Sequence, residues 1–294
     1  MAIIKANNLL KDYGDNKGVF NLNFEIKKGQ VVGFLGPNGA GKTTAIRFLL
    51  GLISNKESSS YIKSFNTFNE QVKIQTFTGY LPGEITFIDN FNALEFLHFM
   101  AKLKNVSNLD YAHELIHLLD LNLNLPIKKM SKGMKQKLGL VIAFMAKPEI
   151  LILDEPSSGL DPLMQQKLIS LILKHQALGA TIFLSSHIFE EVEKVCDRVM
   201  IIKDGVIVAD HLIDDLKKHL KKSYLIEFSD KKEALKFLKA SKGFKINDTT
   251  VEYTIKDNIN NLIKNLNNYN VVDITRKEQS IEEIFLKYYG DSND

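Results

Sequence analysis

Gly36-Pro37-Asn38-Gly39-Ala40-Gly41-Lys42-Thr43-Thr44 decides how this chain is read. The segment follows the apolar run Val31-Val32-Gly33-Phe34-Leu35 and precedes Ile46, Leu49, Leu50 and Ile53 at helical spacing, so strand, loop and helix come in that order. Each fixed position of the G-x-x-x-x-G-K-[ST] pattern is met. The glycines let successive backbone N–H groups converge on phosphate oxygens, and the helix start adds partial positive charge. Lys42 is expected to neutralise β- and γ-phosphate oxygens, and the Thr43 hydroxyl to take one Mg²⁺ position. The pattern predicts a nucleoside triphosphate site.

Two further apolar runs end in polar residues. Residues 150–153, Ile-Leu-Ile-Leu, lead into Asp154-Glu155, and residues 181–184 lead into Ser185-Ser186-His187. Open parallel sheets gather their ligand sites at such strand ends. Asp154 is expected to hold Mg²⁺, Glu155 to take a proton from a water in line with the γ-phosphate, and His187 to steady both.

The rest of the chain frames these motifs. Short apolar runs alternate with helical stretches to about residue 210, predicting an α/β domain with a mainly parallel sheet. Between about 85 and 147 only helical spacing remains, as in Leu94, Leu97 and Met100 or Leu138, Val141, Ile142 and Met145, which predicts a helical subdomain. From about 221 to 294, strand-like 224–228 and 251–255 alternate with helix-like 233–238 and 259–266, predicting a small α+β domain. The chain has 294 residues, 45% hydrophobic and 25% charged, as a folded globular protein does. A net charge of +3 is too small for a non-specific nucleic-acid binder. The longest apolar run, residues 138–146, is about half of a membrane span. Cys196 stands alone, so no internal disulfide forms, and the start lacks a signal pattern; a cytoplasmic protein is expected.

Ser131-Lys132-Gly133-Met134-Lys135-Gln136 begins 23 residues before Asp154 and opens a helical stretch, with Ser131 well suited to cap it. With this segment the chain resembles the ATP-binding cassette (ABC) ATPases over residues 1 to about 220, the motifs arriving in that family's order. The resemblance implies a P-loop NTPase core with an inserted helical subdomain. It also implies ATP and Mg²⁺ as ligands, and a head-to-tail dimer in which Ser131 and Gly133 of one chain face the γ-phosphate held by the other. Ser158-Gly159-Leu160-Asp161 resembles the D-loop at that interface, and Tyr13 stands where the family stacks an aromatic ring on adenine. Two departures are visible. Lys132 and Met134 replace a Gly and a Gln of the consensus signature. No glutamine appears in Gly79-Tyr80-Leu81-Pro82-Gly83-Glu84, where the family's Q-loop supplies one; Glu84, or Gly83 by strict count, stands there.

The signature, the Leu-Pro-Gly-Glu loop and residues 280–286, Ser-Ile-Glu-Glu-Ile-Phe-Leu, resemble the antibiotic and multidrug branch of bacterial exporters, whose ATPase and permease are separate chains. That implies a subunit held to the inner face of the membrane by a permease, with Phe87, Ile88 and Phe91 as docking contacts. The rivals are a soluble family member in translation or repair, a P-loop kinase or GTPase switch, and a regulatory subunit without turnover. Paired cassettes or long coiled coils do not fit in this length, and the last two rivals sit poorly with Ser131, Glu155 and His187.

Overall fold

Strands β1 (Ala2–Asp12) and β2 (Gly18–Lys27) pair antiparallel through a turn at residues 13–17. The completely buried β3 (Val31–Leu35) follows, and the phosphate loop leads from it into α1 (Lys42–Leu49). β4 (Ser59–Ile62) and β5 (Phe65–Asn66) then extend the first pair into a four-stranded antiparallel sheet of order β2-β1-β4-β5. This sheet adds to the mainly parallel one expected. Its alternation is broken in β1 by register shifts and by Asn8 in the left-handed region (φ 48°). The structure, a computed structural model, describes residues 1–88, 90–219, 222–241, 243–255 and 259–277.

Helix α2 (Gln71–Phe77) runs into β6 (Thr78–Leu81). Among the described residues, the following stretch holds the α-helices α3 (Ala93–Leu103), α4 (Asp110–Leu118) and α5 (Lys132–Phe144), with a short 3-10 turn at Ile127–Lys129 before α5. Asn92 and Glu95 start α3 with a reciprocal capping box, and Ser131 starts α5 by accepting from the Met134 N–H at 3.2 Å. The chain returns through β7 (Ile150–Asp154), α6 (Pro162–Ala177), β8 (Thr181–Ser186), α7 (Phe189–Val195), β9 (Arg198–Lys203) and β10 (Val206–Leu212). The second sheet has six strands in the order β10-β9-β3-β8-β7-β6. All of its neighbours are parallel except the edge strand β10. Parallel strands with both faces covered are buried along their length, as β3, β7 and β8 are; β3 is apolar throughout, while polar residues enter β7 and β8 only at their ends, at Asp154 and at Thr181, Ser185 and Ser186. Phe24 of β2 stacks on Phe183 of β8 at 5.7 Å between ring centroids, and Phe183 meets Phe34 of β3 at 5.4 Å, so one apolar cluster ties the two sheets together.

A division between Ile213 and Asp214, within α8 (Ile213–His219), separates this unit from a second one. The second unit runs β11 (Lys222–Phe228), α9 (Lys231–Ala240), β12 (Phe244–Lys245), β13 (Thr250–Ile255), α10 (Ile259–Leu266) and β14 (Val271–Lys277). Its sheet order, β12-β13-β11-β14, is antiparallel between all neighbours. Each helix therefore links two parallel strands with a third between them, the split βαβ arrangement. Its core is Ile226, Phe228, Ala234, Phe237, Val251, Leu262 and Leu266. Residues 280–286, which contributed to the branch resemblance, lie outside the described residues.

Candidate functional site

Parallel pairing brings the ends of β3, β7 and β8 to one edge of the sheet, and each delivers its polar sequel there. At the loop after β3, Gly41 has φ 107°, and a Cβ on it would stand 2.6 Å from the Gly18 carbonyl oxygen. Only glycine fits. The Lys42 ammonium folds back over this loop, donating to the carbonyls of Gly36 (2.6 Å) and Pro37 (3.2 Å), and it lies 3.0 Å from Glu155 Oε1. Thr44 and Ala40 are buried beside it, while Pro37, Asn38 and Gly39 form the exposed crest.

At the end of β7, Asp154 is fully buried and each of its oxygens has a partner. The Thr43 hydroxyl donates to Oδ2 at 2.8 Å, and the Ser185 hydroxyl donates to Oδ1. Glu155 follows in the left-handed region, with φ 47°. Its N–H donates to Ser185 Oγ at 3.0 Å, and its carboxylate reaches His187 Nδ1 at 2.6 Å through Oε2. Glu155 Oε1, by contrast, is buried and accepts no hydrogen bond; its contact with Lys42 is an ion pair without hydrogen-bond alignment. An acceptor left unspent in a phosphate site can take a proton from water. The structure thus brings Lys42, Thr43, Asp154, Glu155 and His187 into one hydrogen-bonded and ion-paired group.

Other residues singled out in the sequence stand apart from it. Tyr13 is 52% exposed in the turn after β1, with the Lys11 ammonium 5.3 Å from its ring centre. Asp161 caps α6 by accepting from the Met164 N–H at 3.0 Å. Gly133 lies against the D-loop: a Cβ there would stand 2.7 Å from the Gly159 carbonyl oxygen. Ser131, Gly133 and Asp161 share no hydrogen bond with Lys42 or Thr43. After β6, Gly83 is the residue against Asp154, a Cβ there standing 3.1 Å from Oδ2. Glu84 is exposed and lines a cavity of about 330 Å³ with Lys132 and Lys135. Phe87 and Phe91 pack edge-on against Phe96, at 5.0 and 5.9 Å, leaving Ile88 as the exposed apolar residue of that loop.

Three residues of the site escaped the sequence reading. Ser185 holds Asp154 and Glu155 together; its adjacency to Ser186 and His187 was the available signal. Glu191, four residues beyond His187, accepts from the hydroxyls of Ser157 (2.7 Å) and Ser186 (3.3 Å) and so ties the loops after β7 and β8. Burial, and then the neighbouring Glu155 charge, push its pKa up against the lowering effect of those hydroxyls. The third, Gln136, donates its amide to the carbonyls of Pro156 (2.9 Å) and Glu155 (3.3 Å). Tyr80, beside the site on β6, has its phenol pushed up to about 12, first by burial and then by Asp154.

Residues 19–158 match the ABC transporter family. The bacitracin transport ATP-binding protein BcrA of Bacillus licheniformis is 36% identical to this chain, the similarity covering 98% of this chain and 97% of that protein. The linearmycin resistance ATP-binding protein LnrL of Bacillus subtilis is 30% identical, covering 98% of each. Among solved structures, an ATP-binding subunit of an ABC transporter superposes with a TM-score of 0.66 at 29% identity, covering 74% of this chain and 92% of that one. A dimeric ATP-binding cassette bound to ADP and Pi, at 23% identity, shares the fold with a TM-score of 0.65 over 71% of this chain and 98% of its own. No helix among the described residues is long and apolar enough to cross a membrane. On this fold and these similarities, the chain belongs to the ABC transporter family as an ATP-binding subunit.

Proposed function

We propose that this chain hydrolyses ATP to drive a separate membrane permease that exports antibiotic-like compounds. The observation that carries the reading is the group of Lys42, Thr43, Asp154, Glu155 and His187 joined at one sheet edge. The names of the bacitracin and linearmycin relatives support the cargo class. Lys42 contacts two carbonyls and Glu155, and bound ATP exchanges these for β- and γ-phosphate oxygens. Glu155 Oε1 is then released to accept the proton of the attacking water, while His187 holds the Glu155 carboxylate from its other oxygen. Tyr13 supplies the ring that stacks on adenine.

The donor set fits Mg²⁺, a hard cation that takes oxygen ligands: the Thr43 hydroxyl and the buried Asp154 carboxylate already meet at 2.8 Å. Glu84 is the third oxygen donor proposed, reached past Gly83. The ion, when bound, supplies positive charge at the β- and γ-phosphate oxygens.

Two copies of the chain form the working unit, with Ser131 and Gly133 at the start of α5 and Asp161 in the D-loop facing the partner's nucleotide. The dimeric cassette of the same fold supports this arrangement. The permease docks beside α2 and α3, where Leu52, Val72 and Leu103 are exposed around a cavity of about 400 Å³. Of the docking contacts expected in the loop after β6, Phe87 and Phe91 are engaged with Phe96, and Ile88 is the one exposed to a partner. The subunit is thereby held at the inner face of the membrane.

The test is ATP turnover by the purified chain with Mg²⁺. Glu155→Gln is expected to bind ATP, to accumulate as a dimer and to turn over at least 100-fold more slowly. Turnover at the parent rate would remove Glu155 from its role.

A further inference from the structure

Of the side chains on α5, Gln136 is the one whose burial is polar: it is 2% exposed on a helix that otherwise buries Leu138, Gly139, Leu140, Val141, Ile142, Ala143 and Phe144. A buried amide is costly unless its hydrogens find acceptors. Here they find the main-chain carbonyls of Glu155 and Pro156, the two residues at which the chain leaves β7. The same turn carries the left-handed φ of 47° at Glu155, a conformation a non-glycine residue keeps only when its surroundings enforce it. Ser185 grips the turn from β8 through the Glu155 N–H, and Gln136 grips it from α5 through the carbonyls. The direction of the Glu155 side chain is thus set by two elements besides its own strand.

We propose that Gln136 is a positioning residue for the hydrolytic reaction, holding the Glu155–Pro156 turn so that the Glu155 carboxylate is aimed at the water, and so tying that aim to the seat of helix α5. The inference rests on the reading of Glu155 as the base. Its consequence follows from where α5 begins. Ser131 caps that helix five residues before Gln136, or about 7.5 Å along the axis. A displacement of the helix start, such as a nucleotide in the facing site imposes, is carried along a rigid helix to the Gln136 amide and from there to Glu155. Gly139 assists: a Cβ there would stand 2.7 Å from Leu81 and Ile85 side chains, so α5 lies close against the end of β6 and the loop after it.

The experiment compares Gln136→Met, of similar length but without donors, with Gln136→His, which keeps one ring N–H, in steady-state ATP turnover with Mg²⁺. Gln136→Met is expected to lower kcat roughly 10- to 100-fold, since a displaced reacting group costs on that order. Its KM for ATP should stay within about twofold, and Gln136→His should recover part of the rate. In a Glu155→Gln background, Gln136→Met should change the residual rate less than about twofold, because a residue acting through Glu155 has nothing left to aim. A parent-level kcat for Gln136→Met, a loss confined to KM, or an undiminished further loss in the Glu155→Gln background would overturn the proposal. Should Gln136→Met fail to fold, Gln136→His and its Glu155→Gln double variant give the same comparison. A parent rate for Glu155→Gln itself would instead refute the base reading beneath the proposal, and is told apart because that variant is measured alone.

Discussion

The two units of this chain bury different things. In Met1–Ile213 the interior holds Lys42, Thr44, Gln136, Asp154, Ser157, Ser185 and Ser186 at or beside one sheet edge, with Ser60, Thr67, Thr78, His175 and Thr181 elsewhere, as well as its apolar clusters. In the second unit the described core is apolar, from Ile226 and Phe228 to Leu262 and Leu266, and Ser223 is the buried polar residue among those described. Buried polar groups cost stability unless each is partnered, so a unit that collects them has been shaped by chemistry, and one that avoids them by packing.

That contrast can be broken by substitution. The largest effect is expected from Glu155→Gln, which should change turnover by at least 100-fold while leaving the melting temperature within a few degrees, since shape and volume are kept. Phe237→Ala is expected to do the reverse. It empties the contact of Phe237 with Phe228 (5.2 Å between ring centres) and Tyr253 (5.6 Å), costing the second unit about 3–4 kcal/mol in urea unfolding and leaving kcat within about twofold. A matching loss of turnover would mean that the packing unit has a share in the chemistry.

A third test uses a buried group of the first unit that lies away from the nucleotide. His175 accepts or donates at 2.8 Å to the Tyr111 hydroxyl, and its pKa is lowered to about 4, first by burial and then by the charges of Lys174 and Lys147. The unfolded chain binds this proton near pH 6.5 and the folded chain only near 4. Stability from this group is therefore fully present above about pH 6.5 and is lost as pH falls toward 4, by at most roughly 3 kcal/mol. Unfolding measured at pH 7, 6, 5 and 4 should show a shallower decline for His175→Phe than for the parent; identical slopes would refute it. The smallest effect on stability is expected from Ser131→Ala, which removes the cap of α5 at a cost of about 1 kcal/mol, read as a shift in melting temperature.

The legibility of the site in the sequence follows the same division. Lys42, Thr43, Asp154, Glu155 and His187 could be read because each sits within three residues of an apolar strand run or in a loop of fixed pattern. Gln136, Ser185 and Glu191 act on backbone groups or on other side chains across strands, and no spacing along the chain marks such partners. The split βαβ order of the second unit was not predicted, because the two-residue β12 is too short to show alternation and pairing across the helices leaves no mark along the chain. The first antiparallel sheet was missed for a different reason: the left-handed Asn8 and the bulges of β1 shift which residues face inward, so the period of two slips partway along. The Q-loop departure was legible, but its geometry was not; the residue that touches Asp154 is Gly83, which has no side chain to offer.

The left-handed turn at Glu155 sets a conflict between durability and work. A glycine in its place would adopt that backbone at lower cost, by roughly 1 kcal/mol, and would leave Thr43, Asp154 and Ser185 bonded as they are, but it would strip Lys42 of its ion-pair partner and His187 of its acceptor. Backbone relief and lost contacts thus oppose each other in heat resistance, while the effect on work is one-sided: a glycine variant would grip its nucleotide and no longer let it go by splitting it.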